Sequence, residues 1–519
     1  GTANQILNVT RLPHTHRVAN TPDTHHGYGS PIGTVYASPA TLSLSVVGVD
    51  ISCGMSVVAT RLRRADLGSI DERRQFGEYL RREVIPMGKG LARDNSDVVT
   101  DERDLVMRGM GGLKDNIIRL LKLTPDSYEF EQDLSSTPEL WDAVPKRAMG
   151  GFGTLGSLGG GNHFIEFQSA EVLDPATAKA WGIEPDQLLI MIHSGSRKFG
   201  YEVAEHYMNG SRRQFVHRAR AEDIRARLVH AARIERSRAE RRDVPLSDFH
   251  SEIDDTAARI LIRYTAPDGE VVTWNEEVPG SDLAPFFDPR FVDDSVGLPY
   301  ALNPLPGAEI AGLPREAIEL GQRYWLGVQA SQNFAVLSRT IMLYRAAEEL
   351  VRLFGHDRVQ PRLLYDISHN NVQVEKVDGR PMFVHRKGAT RAFPAGHEAL
   401  AGTPWAATGH PITVPGSMGS YSYIMKALPT AEASLYSVNH GAGRAMSRGD
   451  ARRTLDLSEQ QAVLAALDNV VVGGTLDEMP AAYKDIDAVV ETCRRGGLCQ
   501  EVIRCVPALT IKGDDDGYD

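Results

Sequence analysis

Cysteine is scarce in this sequence, with four residues in a chain of 519. Cys53 stands alone, while Cys493, Cys499 and Cys505 lie near the C-terminus. Four cysteines are too few for a disulfide framework, so a reducing cytosol is the expected compartment. The three C-terminal cysteines have no histidine or aspartate at ligand spacing, and we expect them to be buried apolar side chains.

Long apolar runs and a surplus of positive charge are also missing. No stretch of about 18 apolar residues runs without a charge, and the N-terminus lacks the basic start and apolar segment of a signal peptide. We therefore expect a cytoplasmic protein with no membrane partner. The formal net charge of -11 excludes a general attraction to nucleic acid, which would need local basic patches. Candidate patches, although such clusters are commonly solvated faces, are Arg61, Arg63 and Arg64; Arg386, Lys387 and Arg391; and Arg444, Arg448, Arg452 and Arg453.

What the sequence does contain is a set of polar side chains beside apolar or glycine-rich runs. The run TLSLSVVG from Thr41 to Gly48 predicts a buried strand, as do LLIMI and RLLYDI further along the chain. Rigid strands that end in polar groups can bring those groups into one pocket. The side chains that follow these three strands, or the glycine-rich GTLGSLGGG, are Asp50, Cys53, His163, His193 and His369.

One thiolate, three imidazoles and a carboxylate form a candidate site for divalent transition metals. The spacing is not that of a zinc finger, and a lone thiolate among imidazoles can bridge two ions, a recurring device in phosphoryl chemistry. Any single histidine of this set is more often an ordinary hydrogen-bonding residue than a ligand, so the hypothesis depends on the joint pattern. Judged by ligand softness alone, the pattern favours zinc or iron.

His440 lies in a second candidate segment, Ser-Val-Asn-His-Gly-Ala-Gly-Arg. Its small residues let a phosphate approach the backbone, and Arg444 and Arg448 supply charged donors. An imidazole in this position can attack phosphorus and carry a nucleotidyl group as a phosphoramidate. Two further candidate anion or nucleotide loops, each weak alone because glycine-rich turns are common, are Pro415–Gly419 and His385–Arg391.

Residues 201–330 lack the apolar strands with polar ends that occur in the rest of the sequence, and they are predicted to be an insertion. Helical spacing from Arg212 to Arg242 predicts a long helix, and two strand-like runs around Pro-Asp-Gly predict a hairpin. Helical periodicity returns from Glu316 to Phe354. The tail at residues 513–519, GDDDGYD, is expected to be disordered.

Taken together, the chain resembles the RtcB family of RNA ligases, over nearly its whole length and in family order. The motifs that carry the resemblance are PDTHHGYGSPIG (22–33), VDISCGM (49–55), GGGNHFIEF (159–167), HSGSR (193–197), ISHNN (367–371), HRKGATRAFPAG (385–396), PGSMGSYSY (415–423), NHGAGR (439–444), AYKDID (482–487) and IKGD (511–514). Three departures stand out. Ser52 replaces the more usual glycine before Cys53, Lys198 and Phe199 follow Arg197, and the insertion is longer than the family leads us to expect.

The resemblance implies an α+β fold, in which mixed β-sheets and helices surround a central metal and nucleotide pocket within one catalytic domain, residues 1–519. It implies two Mn²⁺ ions bound by Asp50, Cys53, His163, His193 and His369, with Cys53 shared, and GMP from GTP carried covalently on His440. Arg197, Arg448 and Asp23 match other functionally important positions. The implied nucleotide pocket comprises Asn162, His163, Phe164, Ile165, Glu166, His369, Asn370, Pro415, Gly416, Ser417, Met418, Ser422, His440, Gly441, Ala442, Gly443, Tyr483 and Lys512.

The implied activity is GTP- and Mn²⁺-dependent joining of RNA 2',3'-cyclic phosphate or 3'-phosphate ends to 5'-hydroxyl ends. The physiological RNA, tRNA halves or otherwise cleaved RNA, is left open, as is an activating partner such as archease. The main alternative is a two-metal phosphatase or cyclic phosphodiesterase that acts on RNA ends without ligation. A non-catalytic RNA-binding regulator would need broken ligands, whereas all five metal candidates and His440 are intact.

Overall fold

The computed structural model describes residues 1–87, 94–131, 134, 136–254, 259–277, 298, 300–308 and 315–513. The chain forms two compact units, one of residues 1–207 and 297–519 and one of residues 208–296. Within the described ranges, no helix is both long and apolar enough to cross a membrane. The expected disordered tail, residues 513–519, lies outside the described residues except for Gly513.

The strands lie between residues 17 and 512. Their bounds are β1 (Arg17–His25), β2 (Ile32–Ser38), β3 (Thr41–Ser43), β4 (Gly54–Arg63), β5 (Phe164–Val172), β6 (Gln187–Ser194), β7 (Phe249–Asp254), β8 (Arg259–Thr265), β9 (Val271–Glu277), β10 (Tyr300–Leu302), β11 (Arg362–Ser368), β12 (Asn370–Val377), β13 (Arg380–Lys387), β14 (Ala389–Arg391), β15 (Ile412–Val414), β16 (Ser422–Ala427), β17 (Ser437–Asn439), β18 (Val470–Val472) and β19 (Cys499–Lys512).

The helices include two of 40 residues or more. Their bounds are α1 (Thr2–Thr10), α2 (Ile70–Tyr79), α3 (Glu102–Arg108), α4 (Asp115–Leu120), α5 (Glu139–Asp142), α6 (Lys146–Met149), α7 (Pro175–Ala180), α8 (Arg197–Glu240), α9 (Arg315–Phe354), α10 (His356–Val359), α11 (Arg448–Thr454), α12 (Leu457–Ala466) and α13 (Ile486–Arg495).

The first unit is built on an eight-stranded sheet in the order β11-β4-β6-β5-β19-β16-β15, with β18 also paired to β19. Only the β18–β19 pair is parallel among the pairings of this sheet in the described ranges. Every residue of β6 is buried because both faces of the sheet are covered, which explains its continuous apolar run. Helix α9 packs against β4 and β6, and the opposite face contacts Trp181, Phe393, Leu400 and Trp405.

Smaller sheets complete the first unit. Strands β1, β2, β13 and β12 form an antiparallel four-stranded sheet, β3 pairs with β10, and β14 pairs with β17. Together with the large sheet and its covering helices, they confirm the predicted α+β class with several sheets.

The second unit contains the antiparallel sheet β7-β8-β9 and the C-terminal part of α8. Ala232 on the helix and Ile260 and Ile262 on β8 form its buried core. The turn between β8 and β9 contains Gly269 with φ of 88°, a conformation that glycine adopts without strain. The structure therefore confirms the predicted hairpin. The assignment of residues 201–330 as an insertion in a single catalytic domain stays a prediction.

Most predicted elements are confirmed, and one is partly wrong. The helix expected from Arg212 is the continuation of α8, and the one expected at Glu316–Phe354 is α9. The strand expected over residues 41–48 ends at Ser43. The residues after it form turns, with φ of 81° at Gly48 and 60° at Ser52. Their continuous apolar pattern reflects burial, because Leu44, Val46 and Val47 are buried without being in a strand.

Candidate active site

The register of the large sheet brings two strand ends and two strand starts to the same edge. Gly54, the first residue of β4, pairs with Ser194 at the end of β6 and with Ser368 at the end of β11. Phe164, the first residue of β5, pairs with His193. Residues that immediately precede or follow these positions must therefore lie close together, although they are distant in sequence.

Five candidate metal ligands meet at this edge. They form two groups, and within each group the donor atoms all lie within 4.8 Å of one another. One group is Cys53, His193 and His369, and the other is Asp50, Cys53 and His163, so Cys53 belongs to both. The Cys53 Sγ atom is 3.3 Å from His193 Nε2 and 3.5 Å from His163 Nε2. His193 Nε2 is 3.2 Å from His369 Nε2. Such a donor set fits two divalent cations that share the thiolate.

The protonation states suit ligation. Burial lowers the pKa of His193 and of His369 well below the usual value, and neighbouring histidines lower both further. Burial raises the pKa of Asp50, but the hydrogen bond and charge of His163 outweigh it and leave that pKa lowered. Neutral imidazoles and an ionised carboxylate are the forms that bind cations.

Glycines allow the close approach of these groups. A Cβ atom on Gly195 would overlap the carboxylate of Asp50, and one on Gly159 would overlap the Arg197 guanidinium and the His163 imidazole. The Arg197 backbone N–H donates to Asp50 Oδ1 at 3.1 Å. Arg197 is therefore next to the metal candidates.

Ser52 adopts a conformation that glycine would adopt more easily. Its φ of 60° lies in the left-handed region, and its hydroxyl lies 2.8 Å from that of Ser368. Around it, Ser52 N–H donates to Asn370 O at 2.6 Å, and His369 N–H donates to Cys53 O at 2.9 Å. The turn before Cys53 is thereby fixed to the segment that carries His369.

His440 lies beside the metal candidates. It follows β17, whose partner β14 begins at Ala389, and the Ala389 N–H donates to His369 O at 3.1 Å. The rings of His369 and His440 have centroids 5.1 Å apart. His440 Nδ1 is 3.1 Å from Oδ2 of the buried Asp23. Burial raises the pKa of Asp23, but contact with His440 outweighs it, so the pKa of this carboxyl is lowered and it is ionised.

Two small-residue loops pack together next to His440. The Ala442 N–H donates to Pro415 O at 3.0 Å, and a Cβ on Gly441 would lie 2.9 Å from the same oxygen. Within the other loop, Gly416 N–H donates to Ser422 Oγ and Ser417 N–H donates to Ser420 Oγ. The structure thus brings the two predicted nucleotide loops to one place.

Further predicted pocket residues surround the same region. Lys512 Nζ donates to Gly161 O at 2.7 Å and lies 3.8 Å from Glu478. The Tyr483 hydroxyl donates to Glu478, and Arg444 stacks on the Tyr483 ring at 5.2 Å. Arg448 begins α11 and is half-buried. Burial raises the pKa of the Tyr483 hydroxyl, and the charge of Arg448 opposes that increase.

Other predicted pocket residues form hydrogen bonds within the protein or are buried in it. Asn162 O accepts from His193 Nδ1 at 3.1 Å, and the Asn370 side chain accepts from Gly388 N–H at 2.9 Å. Ile165 is completely buried in β5. Burial raises the pKa of Glu166 to about 7, although hydrogen bonds from Thr510 and Gln168 oppose this.

The sequence analysis missed a buried ion pair behind the metal candidates. Arg339 on α9 binds Asp366 through two hydrogen bonds of 2.7 Å, and both side chains are at most 1% exposed. The third guanidinium nitrogen of Arg339, Nη1, donates to Ser52 O at 2.6 Å and to Ser194 O at 2.8 Å. Arg339 therefore positions the backbone beside Cys53 and His193. The sequence does contain a sign of this pair, because a charged residue interrupts each of two apolar runs and a buried charge needs a partner.

One predicted basic patch is not a surface patch. Arg386 is fully buried and binds Glu375, Lys387 is buried against oxygens of Tyr28 and Ser30, and Arg391 lies 3.2 Å from the buried Glu131. The prediction was wrong because a run of cations does not show whether acidic residues from other strands neutralise it. The other two patches contain ion pairs such as Arg64–Asp468 and Arg452–Asp477.

Comparisons with known proteins agree with this geometry. Residues 5–240 and 296–513 match the family described as tRNA-splicing ligase RtcB. The relatives include proteins named tRNA-splicing ligase RtcB from Aeropyrum pernix (28% identity; 95% of this chain and 87% of that protein), Methanococcus maripaludis (27%; 98% and 91%) and Thermococcus kodakarensis (29%; 99% and 91%). Because the family match covers most of the chain and spans the metal candidates and His440, this chain belongs to the RtcB family.

Proposed function

We propose that this chain is an RNA ligase that uses GTP and two Mn²⁺ ions, and carries GMP on His440 between its half-reactions. Family membership supports RNA ligation. The observation that carries the finer proposal is the adjacency of His440 to two donor groups that share Cys53. A nucleophile beside a pair of cation sites is the arrangement that phosphoryl chemistry needs.

The cations would be held by the two donor groups. Cys53, His193 and His369 would hold one, and Asp50, Cys53 and His163 the other. Bound divalent cations would neutralise the charge of crowded phosphates. The choice of Mn²⁺ rests on the family resemblance, since a thiolate ligand by itself favours zinc or iron.

The chain's own residues suit the nucleotidyl transfer. Asp23 faces Nδ1 of His440, which leaves Nε2 as the nucleophile. Nε2 forms a bond to the α-phosphorus of GTP, and the bond to pyrophosphate breaks. Water opens an RNA 2',3'-cyclic phosphate to a 3'-phosphate, and an oxygen of that phosphate takes GMP from His440 as the bond between phosphorus and Nε2 breaks. The 5'-hydroxyl oxygen of a second RNA end then bonds to the 3'-phosphorus, gives up its proton, and displaces GMP.

The remaining predicted residues would bind GTP and the RNA phosphates. The small residues of the loops at Pro415–Met418 and Gly441–Gly443 would let a phosphate approach the backbone, and Tyr483 and Lys512 would contact the guanosine. Arg197 and Arg448 would neutralise phosphates. The substrates would be RNA ends from tRNA halves or other cleaved RNA, with an activating partner such as archease as a further expectation.

The test is labelling with GTP that carries ³²P at the α-phosphate, in the presence of Mn²⁺. We expect an acid-labile protein adduct that is absent in His440→Asn and present in the control His356→Asn, whose histidine is exposed and belongs to none of the motifs. The competing function is an RNA phosphatase or cyclic phosphodiesterase. No adduct in the unmodified protein, together with release of phosphate from RNA 3' ends, would establish that alternative.

A further inference from the structure

The second unit exposes one face of its long helix. Over the part of α8 after residue 224, Leu228, Val229 and Ala232 pack against the sheet β7-β8-β9. The residues on the opposite side of the helix, which recur every three or four positions, are exposed. We call this surface the arginine face; it consists of Arg227, His230, Ile234 and Arg238 on the helix, and of the exposed Arg241, which directly follows the helix end at Glu240.

Charge is unevenly distributed in this part of the chain. Residues 208–242 contain eleven arginines and four acidic residues, a net charge of +7, in a chain whose net charge is -11. A segment of this kind creates a local positive field that the whole molecule does not have. No acidic residue belongs to the arginine face.

The arginines beside the arginine face are neutralised within the second unit, but two on the face are not. Arg233 binds Asp243 at 2.8 Å, and Arg236 binds Glu270 at 2.8 Å. Neither Arg238 nor Arg241 has an acidic partner among the residues that the structure describes. Both line a groove of about 480 Å³, together with Ile234, Ser237, Arg242 and the ion pair Arg233–Asp243, so that Asp243, the acidic residue of the lining, is bound to Arg233.

We propose that the arginine face binds the phosphate backbone of the RNA whose ends are joined, an inference that rests on the proposed ligase function. Arg227 and Arg238 are eleven residues apart, about 16 Å along the helix, so the face can contact several phosphates of one strand. The exposed Ile234 lies between them and offers an apolar contact to a ribose or base. A protein partner fits less well, because the face has no aromatic anchor.

The test compares the intact chain with Arg238→Gln/Arg241→Gln and with a matched control, Arg74→Gln/Arg82→Gln, which removes two exposed arginines from the first unit. Binding of a short, fluorescently labelled single-stranded RNA is followed by anisotropy without GTP, over a range of KCl concentrations. We expect the first variant to bind about tenfold more weakly than the control, since each exposed charge pair contributes a factor of a few. Its slope of log affinity against log salt should fall by about 1.4.

The GTP adduct and the unfolding midpoint are measured on the same proteins. The adduct should be unchanged, because the variant does not alter the nucleotide residues, and an unchanged midpoint shows intact folding. Equal RNA affinity and salt slope in the variant and the control overturn the RNA assignment. Loss of binding to a polyglutamate peptide with unchanged RNA binding also overturns it and identifies an acidic protein as the partner. Failure of the ligase proposal is distinct, because it appears as no adduct in the unmodified chain.

Discussion

Replacing Arg339 by Met should destabilise the protein more than the loss of any surface ion pair. The change leaves the Asp366 carboxylate buried, with Ser56 still donating to it, and takes the donors away from Ser52 O and Ser194 O. Breaking a buried pair from one side costs about 3–5 kcal/mol, because a charge stays in the interior without compensation. We expect the free energy of unfolding, measured by urea denaturation with circular dichroism, to fall by about that amount.

Two variants separate this effect from ordinary truncation. Arg345→Met lies on the same helix, but its partner Asp97 is 51% exposed, so the loss should be about 1 kcal/mol. The double variant Arg339→Met/Asp366→Leu removes the stranded charge and should recover most of the stability. Cation affinity, measured by calorimetry on metal-free protein, should fall in Arg339→Met because the backbone beside Cys53 and His193 is released. The reasoning is refuted if Arg339→Met is no less stable than Arg345→Met.

Three further predictions concern the active site. Cys53→Ala should lower the bound cations, counted by elemental mass spectrometry, from two to fewer than one per chain, because the thiolate belongs to both donor groups; unchanged loading would contradict sharing. Asp23→Asn should slow formation of the GTP adduct by about 10²–10⁴-fold in a quenched-flow assay, since the carboxylate orients His440. A decrease in this rate of less than threefold (roughly 0.6 kcal/mol) would argue against that role. The pKa of Glu166 is raised to about 7, so the folded state holds a proton that the unfolded state releases above roughly pH 4.5. Stability should therefore decline by about 3 kcal/mol between pH 4.5 and 7, and Glu166→Gln should flatten this part of the profile.

The sequence pointed to the five candidate ligands because apolar runs end where polar side chains begin. His193 is near the end of the buried strand β6 and His369 directly follows β11, and both strands are visible in the sequence as apolar runs. What the sequence did not show is how the strands pair. The register between Gly54, Ser194 and Ser368 brings Cys53 to both histidines, and that register is set by contacts between residues far apart in the chain.

The errors have a common physical origin. Leu44–Val47 look like a strand because they are buried, but burial does not specify backbone conformation. Arg386 looks like a surface cation because its partner Glu375 is on the neighbouring strand. Arg339 went unnoticed for the same reason, since its role depends on Asp366 and on two carbonyl oxygens, one from the turn at Ser52 and one from β6 at Ser194.

The most direct test of the account is a crystal structure of the protein grown with Mn²⁺, with data collected at the manganese absorption edge. The account predicts two anomalous peaks, one among Cys53, His193 and His369 and one among Asp50, Cys53 and His163, with Cys53 Sγ bound to both. A single peak, or peaks away from Cys53, would contradict it.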